Sequence, residues 1–309
     1  MGNKKIIQVL GPTGVGKSRV SIALAKRIGG EIISADSVQV YTDFNIGTDK
    51  LSLSERQNIP HYLIDILSDC SQFNASMFLE RSFAVAEDIR SRGKVPIVCG
   101  GTALYLKTMI TGIFPENEEK RVSRERLKHI AARRGLAGLF KKLQQVDPLY
   151  ASKVGQNDAV RIIRALEIYY NNGAPPSEIF KQTRSPFFEY EFIRIGLDMD
   201  RELLYRRIET RVDDMIRRGL LEEVQRLQKK YAPSCPAFKS LGYKEMLLYM
   251  EDNTICFGET AQQIKQHSRN FAKRQLSWFR QEKDIVWFNP EQIEQIASFV
   301  VNKLADPLF

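Results

Sequence analysis

Histidine and cysteine are scarce and scattered in this chain of 309 residues. The three histidines are His61, His129 and His267, and the four cysteines, Cys70, Cys99, Cys235 and Cys256, form no CxxC pair. That pattern argues against a zinc site and against a disulfide framework, and it fits a reducing cytoplasm. No apolar run approaches membrane-spanning length. No leader is visible, since Met1-Gly2-Asn3-Lys4-Lys5 runs straight into an apolar strand. Gly2 is not set for myristoylation, because residue 6 is Ile rather than Ser or Thr. Repeats and low-complexity segments are missing too. Acids are outnumbered, 37 against 46 Lys and Arg, and the net charge of +9 raises the expectation of a polyanionic partner. The length suits one large domain, or one plus an insertion.

The stretch that is unmistakably present is Gly11-Pro12-Thr13-Gly14-Val15-Gly16-Lys17-Ser18, which fits GxxxxGK[ST]. The run Ile6–Leu10 before it reads as a strand, and Ser21–Lys26 after it reads as a helix. In such a loop the backbone N–H groups cradle phosphate oxygens, and the helix start adds partial positive charge. Glycine allows turns and close approaches where a Cβ would clash. Lys17 would reach the terminal phosphate and the Ser18 hydroxyl would ligate Mg²⁺. The motif predicts binding of a di- or triphosphate.

The first hundred residues alternate strand and helix, the pattern of a parallel sheet with crossover helices. Glu31–Ala35 is a second strand, and it ends at Asp36-Ser37. Ligands gather at the carboxyl ends of strands in open α/β sheets, so Asp36 falls on the rim that carries the phosphate loop. His61–Asp65 reads as a short strand. Asn74 to Arg92 reads as an amphipathic helix with Phe78, Phe83 and Val85 inside. Val95–Cys99 is a third core strand, followed by Gly100-Gly101-Thr102 and a helix over Ala103–Thr111. An Asp at that strand end would be the usual carboxylate near Mg²⁺ in phosphate-loop NTPases. Its absence leaves Asp36 as the nearest acid. The two glycines suggest backbone lying against a ligand with the Thr102 hydroxyl as partner, and a tight turn fits them equally well.

From Pro115 the composition changes, and roughly 116–190 reads as a helical insertion. Its first part is rich in cations, among them Lys120, Arg121, Arg124, Arg126, Lys128, Arg133 and Arg134. Asp158 to Asn171 places Ile163, Leu166 and Tyr170 on one face, with Arg161 and Arg164 on another. A solvated face and nucleic-acid contact are both open for these arginines. The sheet resumes at Glu191–Leu197, and Asp200 caps a helix to Arg218 that carries Arg206, Arg207 and Arg211. The longest helix spans about Glu259 to Gln281. Its second half interleaves cations with Phe271, Trp278 and Phe279, which suits phosphate contact and base stacking, or equally a core face. Asp284–Phe288 is a final strand.

Several stretches in order are similar to one family: Gly11–Ser18, Ala35–Tyr41, Ile46–Thr48, Pro60-His61, Ile64–Ile66, Gly100–Tyr105, Arg161–Glu167, Leu241–Glu245 and Ala272–Arg280. The whole chain resembles the bacterial tRNA dimethylallyltransferases, also called tRNA isopentenyltransferases. Ser18 and Ser277 stand where that family commonly has Thr, and both keep the hydroxyl. The resemblance accords with the reading of the residues as a phosphate-loop NTPase-like α/β core, 1–115 and 191–309, with a helical insertion domain at 116–190. It implies transfer of dimethylallyl from its diphosphate to the exocyclic amine of the adenosine 3′ of the anticodon. Arg211 would help hold the diphosphate. Contact with the tRNA anticodon stem-loop falls, by the same resemblance, to Asp36, Ser37, Val38, Gln39, Thr102 and Arg124. It extends to Val160, Arg161, Ile162, Ile163 and Arg164, and to Lys239, Gly242, Tyr243 and Lys244. Lys273, Arg274, Gln275, Trp278 and Arg280 complete that set.

The residues suit this chemistry. A diphosphate leaving group needs charge neutralisation, which the loop amides, Lys17 and Mg²⁺ on Ser18 provide. An allylic carbon ionises partly as the diphosphate leaves, so no attacking side chain is required. The adenine amine is a poor nucleophile, and Asp36 is the candidate to accept its proton. A base in a single-stranded loop turns outward at modest cost. A cytoplasmic monomer is expected, with ATP a weak ligand if it binds. A small-molecule kinase and a nucleic-acid-binding NTPase are the competing classes, each marked by phosphate release or transfer from ATP.

Overall fold

The computed structural model describes residues 4–114, 122–252 and 254–306. These divide into two compact units, Met1–Ile110 with Pro186–Phe309, and Thr111–Ser185. The change of unit falls five residues ahead of the composition change at each end, since 116 and 190 become 111 and 185. Lys120 and Arg121 lie outside the described residues.

The larger unit is built on six strands: β1 (Lys4–Leu10), β2 (Gly30–Ser34), β3 (His61–Tyr62), β4 (Val95–Gly100), β5 (Tyr190–Leu197) and β6 (Val286–Phe288). Their order is β3-β2-β4-β1-β5-β6, and every pairing is parallel. Ile7 sits in register with Ile97 on one side and Ile193 on the other. A parallel sheet covered on both faces demands nearly unbroken apolar strands, and all but the first residue of β1 are buried. The helices that do the covering are α1 (Lys17–Ile28), α2 (Ala75–Ser91) and α3 (Ala103–Thr111) from the first half of the chain. Later in the chain, the described residues of Thr111–Ser185 form α4 (Arg124–Arg134), α5 (Leu136–Val146), α6 (Pro148–Ala151), α7 (Ala159–Asn172) and α8 (Pro176–Gln182). The larger unit is then completed by α9 (Arg201–Arg217), α10 (Leu220–Lys230), α11 (Tyr243–Glu251), α12 (Phe257–Phe279) and α13 (Ile293–Ala305).

Helix ends follow the local chemistry. The Asn74 side chain accepts from the amides of Ser76 and Met77 at 3.0 Å and opens α2. The Asp200 carboxylate does the same for Glu202 and Leu203 and opens α9. Within α2 the buried face is Ala75, Phe78, Leu79, Ser82, Ala86 and Ile89, whereas Phe83 and Val85 are only half-buried. Phe83 instead meets Phe187 edge-on at 5.2 Å, at the border of the apolar stripe. The last strand is shorter than the sequence suggests, because Asp284 adopts a left-handed φ of 62° just before it.

The smaller unit closes on its own core, with Leu127, Leu143, Ile162 and Leu166 at most 2% exposed. No helix of the described residues is long and apolar enough to cross a membrane.

One expectation is overturned. Cys70 and Cys235 form a disulfide across 165 positions of sequence. Spacing along the chain carries no trace of such a pair, since only folding brings the segment after β3 beside the segment after α10.

Candidate functional site

Three strand ends define the rim. Leu10 of β1 leads into the phosphate loop, Ser34 of β2 leads to Asp36, and Gly100 of β4 leads to Thr102. A cavity of about 680 Å³ opens there. Thr13, Gly14, Gly16, Lys17, Ser18, Asp36, Ser37, Val38, Gln39 and Thr102 line it, with Arg211, Lys239, Gly242, Lys244, Arg274 and Gln275. The rim thus gathers residues from 13 to 275 around one space. Gly11, Pro12 and Val15 are buried behind the loop.

The loop is shaped by its glycines. Gly16 caps α1 with φ 99° and brings no side-chain acceptor, so the amides at the helix start keep their dipole for an anion. Gly14 has φ 80°, and a Cβ there would lie 2.8 Å from Ile208 Cγ1. The Lys17 ammonium donates to the carbonyls of Gly11 at 3.1 Å and Pro12 at 2.7 Å. Burial lowers its pKa to about 8, with the Arg211 cation adding to the effect against Cys99 and Asp36. Ser18 is exposed one residue further on.

Other elements grip the loop from outside. Gln275 of α12 accepts from the Thr13 amide at 2.8 Å and donates to the Gly101 carbonyl at 2.8 Å. Both ends of its amide are therefore used within the protein, tying loop to glycine turn. Arg211 of α9 donates to the Thr13 hydroxyl at 2.6 Å, and its Nε lies 3.4 Å from Asp49. Asp49 belongs to a loop held by buried Glu223, whose carboxylate accepts from the amides of Asn45, Ile46 and Gly47 and from the Tyr243 hydroxyl at 2.6 Å.

Asp36 is half-buried, and its Oδ1 accepts from the amides of Val38 at 2.8 Å and Gln39 at 3.2 Å. No described residue donates to Oδ2. One carboxylate thus both shapes the turn and keeps an acceptor at the cavity. His61 joins the same wall. Its Nδ1 lies 2.7 Å from the Ile59 carbonyl, which can only accept, so Nδ1 carries the proton and Nε2 is an acceptor. Burial lowers the pKa of the ring and favours this neutral form.

The residues expected at RNA sort by exposure. Lys239, Lys244, Lys273, Arg274 and Arg280 are exposed, and Arg280 pairs with Asp198 at 2.7 Å. Lys239 and Lys273 make no ion pair among the described residues. Val160 and Arg161 are exposed on α7, with Val160 at 80%. Tyr243, Ile162 and Ile163 of that set are buried, at 0%, 0% and 5% exposed, so little or none of their side-chain surface reaches solvent. Arg124 and Arg164 both donate to Glu167, at 2.9 and 2.7 Å. Among the aromatics of α12, Phe279 is fully buried, Phe271 lines the cavity, and half-buried Trp278 holds the Lys107 ammonium 5.2 Å from its ring centre. Arg207, His61 and Asp49 line the cavity as well, beyond the residues expected there. The four-residue spacing of Arg207 from Arg211 was the available signal for the first.

The parallel sheet, the loop with Lys17 and Ser18, and the acid after β2 define a phosphate-loop α/β protein. Within that class, the family model described as IPP transferase matches residues 39–282. A tRNA dimethylallyltransferase of Geobacillus thermodenitrificans is 40% identical over 309 residues, covering 97% of this chain and 98% of that protein. One of Bacillus anthracis is 40% identical over 308 residues, covering 98% of each. The crystal structure of a tRNA isopentenylpyrophosphate transferase from Bacillus halodurans is similar at a TM-score of 0.72 and 35% identity, over 97% of each chain. A eukaryotic dimethylallyltransferase, captured acting on tRNA, is similar at a TM-score of 0.80 and 33% identity, over 97% of this chain and 77% of that one. The chain belongs to the IPP transferase family.

Proposed function

We propose that this protein transfers a dimethylallyl group from dimethylallyl diphosphate to the exocyclic amine of the adenosine 3′ of the anticodon in tRNA, releasing diphosphate. The observation that carries the reading is the meeting of Lys17, Ser18, Arg211 and Asp36 on one cavity in a chain of this family. The loop amides, the α1 start and the cations of Lys17 and Arg211 bind the diphosphate and take up charge as the C–O bond breaks. Asp36 Oδ2, which has no donor among the described residues, accepts the proton from the attacking amine. Thr102 lines the channel.

The donor set fits Mg²⁺. No group of three or more His, Cys, Asp or Glu among the described residues forms a cage, and Mg²⁺ is commonly held through few protein oxygens plus phosphate and water. Ser18 Oγ would hold it. The ion would supply further neutralisation of the leaving diphosphate. The exposed cations Lys239, Lys273 and Arg274 suit the anticodon stem-loop, and Val160 and Arg161 of the helical unit belong to the same proposal, whereas Arg124 and Arg164 are committed to Glu167.

The test is direct. Protein, Mg²⁺, dimethylallyl diphosphate and total tRNA are incubated, and digested tRNA is read by mass spectrometry. Prenylated adenosine next to the anticodon is expected. Phosphoryl transfer from ATP at roughly 1–100 per second would point to a kinase instead.

A further inference from the structure

We infer that Arg207 is a second guanidinium of the diphosphate site, held ready by Glu291; this rests on the reading of that site as one for a diphosphate. Successive loop residues meet successive positions of α9. Thr13 bonds Arg211, a Cβ on Gly14 would strike Ile208, and a Cβ on Gly16 would lie 3.8 Å from Arg207 Nη1. Helix geometry brings residues four apart onto one face, about 6 Å apart along the axis. Arg207 and Arg211 therefore flank Ile208 on the face that closes the loop, and all three line the cavity.

The hydrogen bonds of Arg207 are lopsided. Nη2 donates to Glu291 Oε1 at 2.8 Å, while Nη1, the nitrogen beside Gly16, has no acceptor among the described residues. Glu291 also pairs with Arg19 of α1 at 2.8 Å, so its carboxylate is anchored from two sides. Hydrogen bonds from those two arginines hold its carboxyl below the usual range and keep it charged. A guanidinium pinned at one nitrogen, with the other turned toward the start of α1, is placed for a second oxygen of a bound diphosphate. Lys17 and Arg211 serve the same anion from the loop and from the next turn of α9.

Titration calorimetry with inorganic diphosphate and Mg²⁺ tests this without requiring transfer. Arg207→Ala should weaken binding about tenfold, and Arg207→Lys, which keeps charge but loses the fork, about threefold. Affinity for an anticodon stem-loop should stay within twofold. Melting curves should match the parent, since the side chain is 43% exposed. Diphosphate binding by Arg207→Ala within twofold of the parent overturns the inference and leaves the diphosphate site standing. Failure of the parent protein to bind diphosphate at all overturns both. Equal losses for diphosphate and stem-loop also overturn it, because they mark a general disturbance of the fold.

Discussion

Arginine is plentiful both at the sheet rim and in the helical unit, and the two regions use it in opposite ways. At the rim, Arg211 and Arg207 are each held by an acid on one side, Asp49 and Glu291, with the rest of the guanidinium beside the phosphate loop. In the helical unit, Arg124 and Arg164 converge on Glu167, which is only 2% exposed. Burial would raise the pKa of Glu167, yet hydrogen bonds from those two arginines lower it. A cation beside an anchored acid at a cavity wall is offered to a ligand, whereas cations over a buried acid complete a core. Composition counts both alike.

The largest expected effect tests the rim. Asp36→Asn keeps an oxygen for the amides of Val38 and Gln39 and removes the proton acceptor. Single-turnover transfer should fall roughly 10²- to 10⁴-fold, with dimethylallyl diphosphate affinity nearly unchanged. Near-parental transfer by this variant would remove Asp36 from the mechanism. A drop in melting temperature with only a small loss of rate would make it a cap alone.

Next in size is the disulfide, which belongs to the sheet-bearing unit. Linking Cys70 to Cys235 across 165 positions is worth at most about 5 kcal/mol of chain entropy. The same segment is also held by the aromatic cluster of Phe44, Phe238 and Tyr243, each ring at most 2% exposed. Reduction by a dithiol should lower the melting temperature by roughly 5–10 °C, with two thiols newly alkylated at Cys70 and Cys235. An unchanged melting curve after verified reduction would show that the aromatic packing alone holds the segment.

The third prediction concerns pH. Burial depresses Lys17 to about 8, so the ammonium that binds an anion is intact below that pH and lost as pH rises through it. A bound diphosphate favours the charged form and moves the loss upward in the complex. Affinity for inorganic diphosphate should therefore fall up to about tenfold per pH unit above 8. Lys17→Arg, charged throughout, should flatten the profile; an alkaline fall of the same size in that variant would assign the titration elsewhere.

Legibility followed the range of the interactions. The phosphate loop is written in eight consecutive residues, and Asp36 follows from where β2 ends, so both stand in the sequence. The burial of Tyr243 and the bridging by Gln275 depend on partners 20 and more than 170 positions away, Glu223 and Gly101. No local pattern records such partners. Phe271, Trp278 and Phe279 share a short stretch of α12, yet they end at the cavity wall, half-buried beside Lys107, and in the core. Periodicity places them on a helix but does not say which neighbour each face meets.

The smallest effect sharpens the contrast between the regions most directly. Lys273 is exposed and without an ion pair among the described residues, while Arg124 is tied to Glu167. If Lys273 meets a phosphate of the stem-loop, Lys273→Ala releases about one counterion fewer, and the slope of log affinity against log salt should shrink by about 1. Affinity at moderate salt should fall only a few-fold, and the melting curve should not move. Arg124→Ala should behave in reverse. It leaves a buried carboxylate short of a donor, at a cost of about 1–3 kcal/mol, so the helical unit should melt earlier. Its salt slope should change less than that of Lys273→Ala. Measuring both variants by fluorescence anisotropy at four salt concentrations, beside their melting curves, decides the matter. A slope loss of about 1 for Arg124→Ala with unchanged melting would place that guanidinium on the RNA after all, and would erase the distinction between offered and committed arginines.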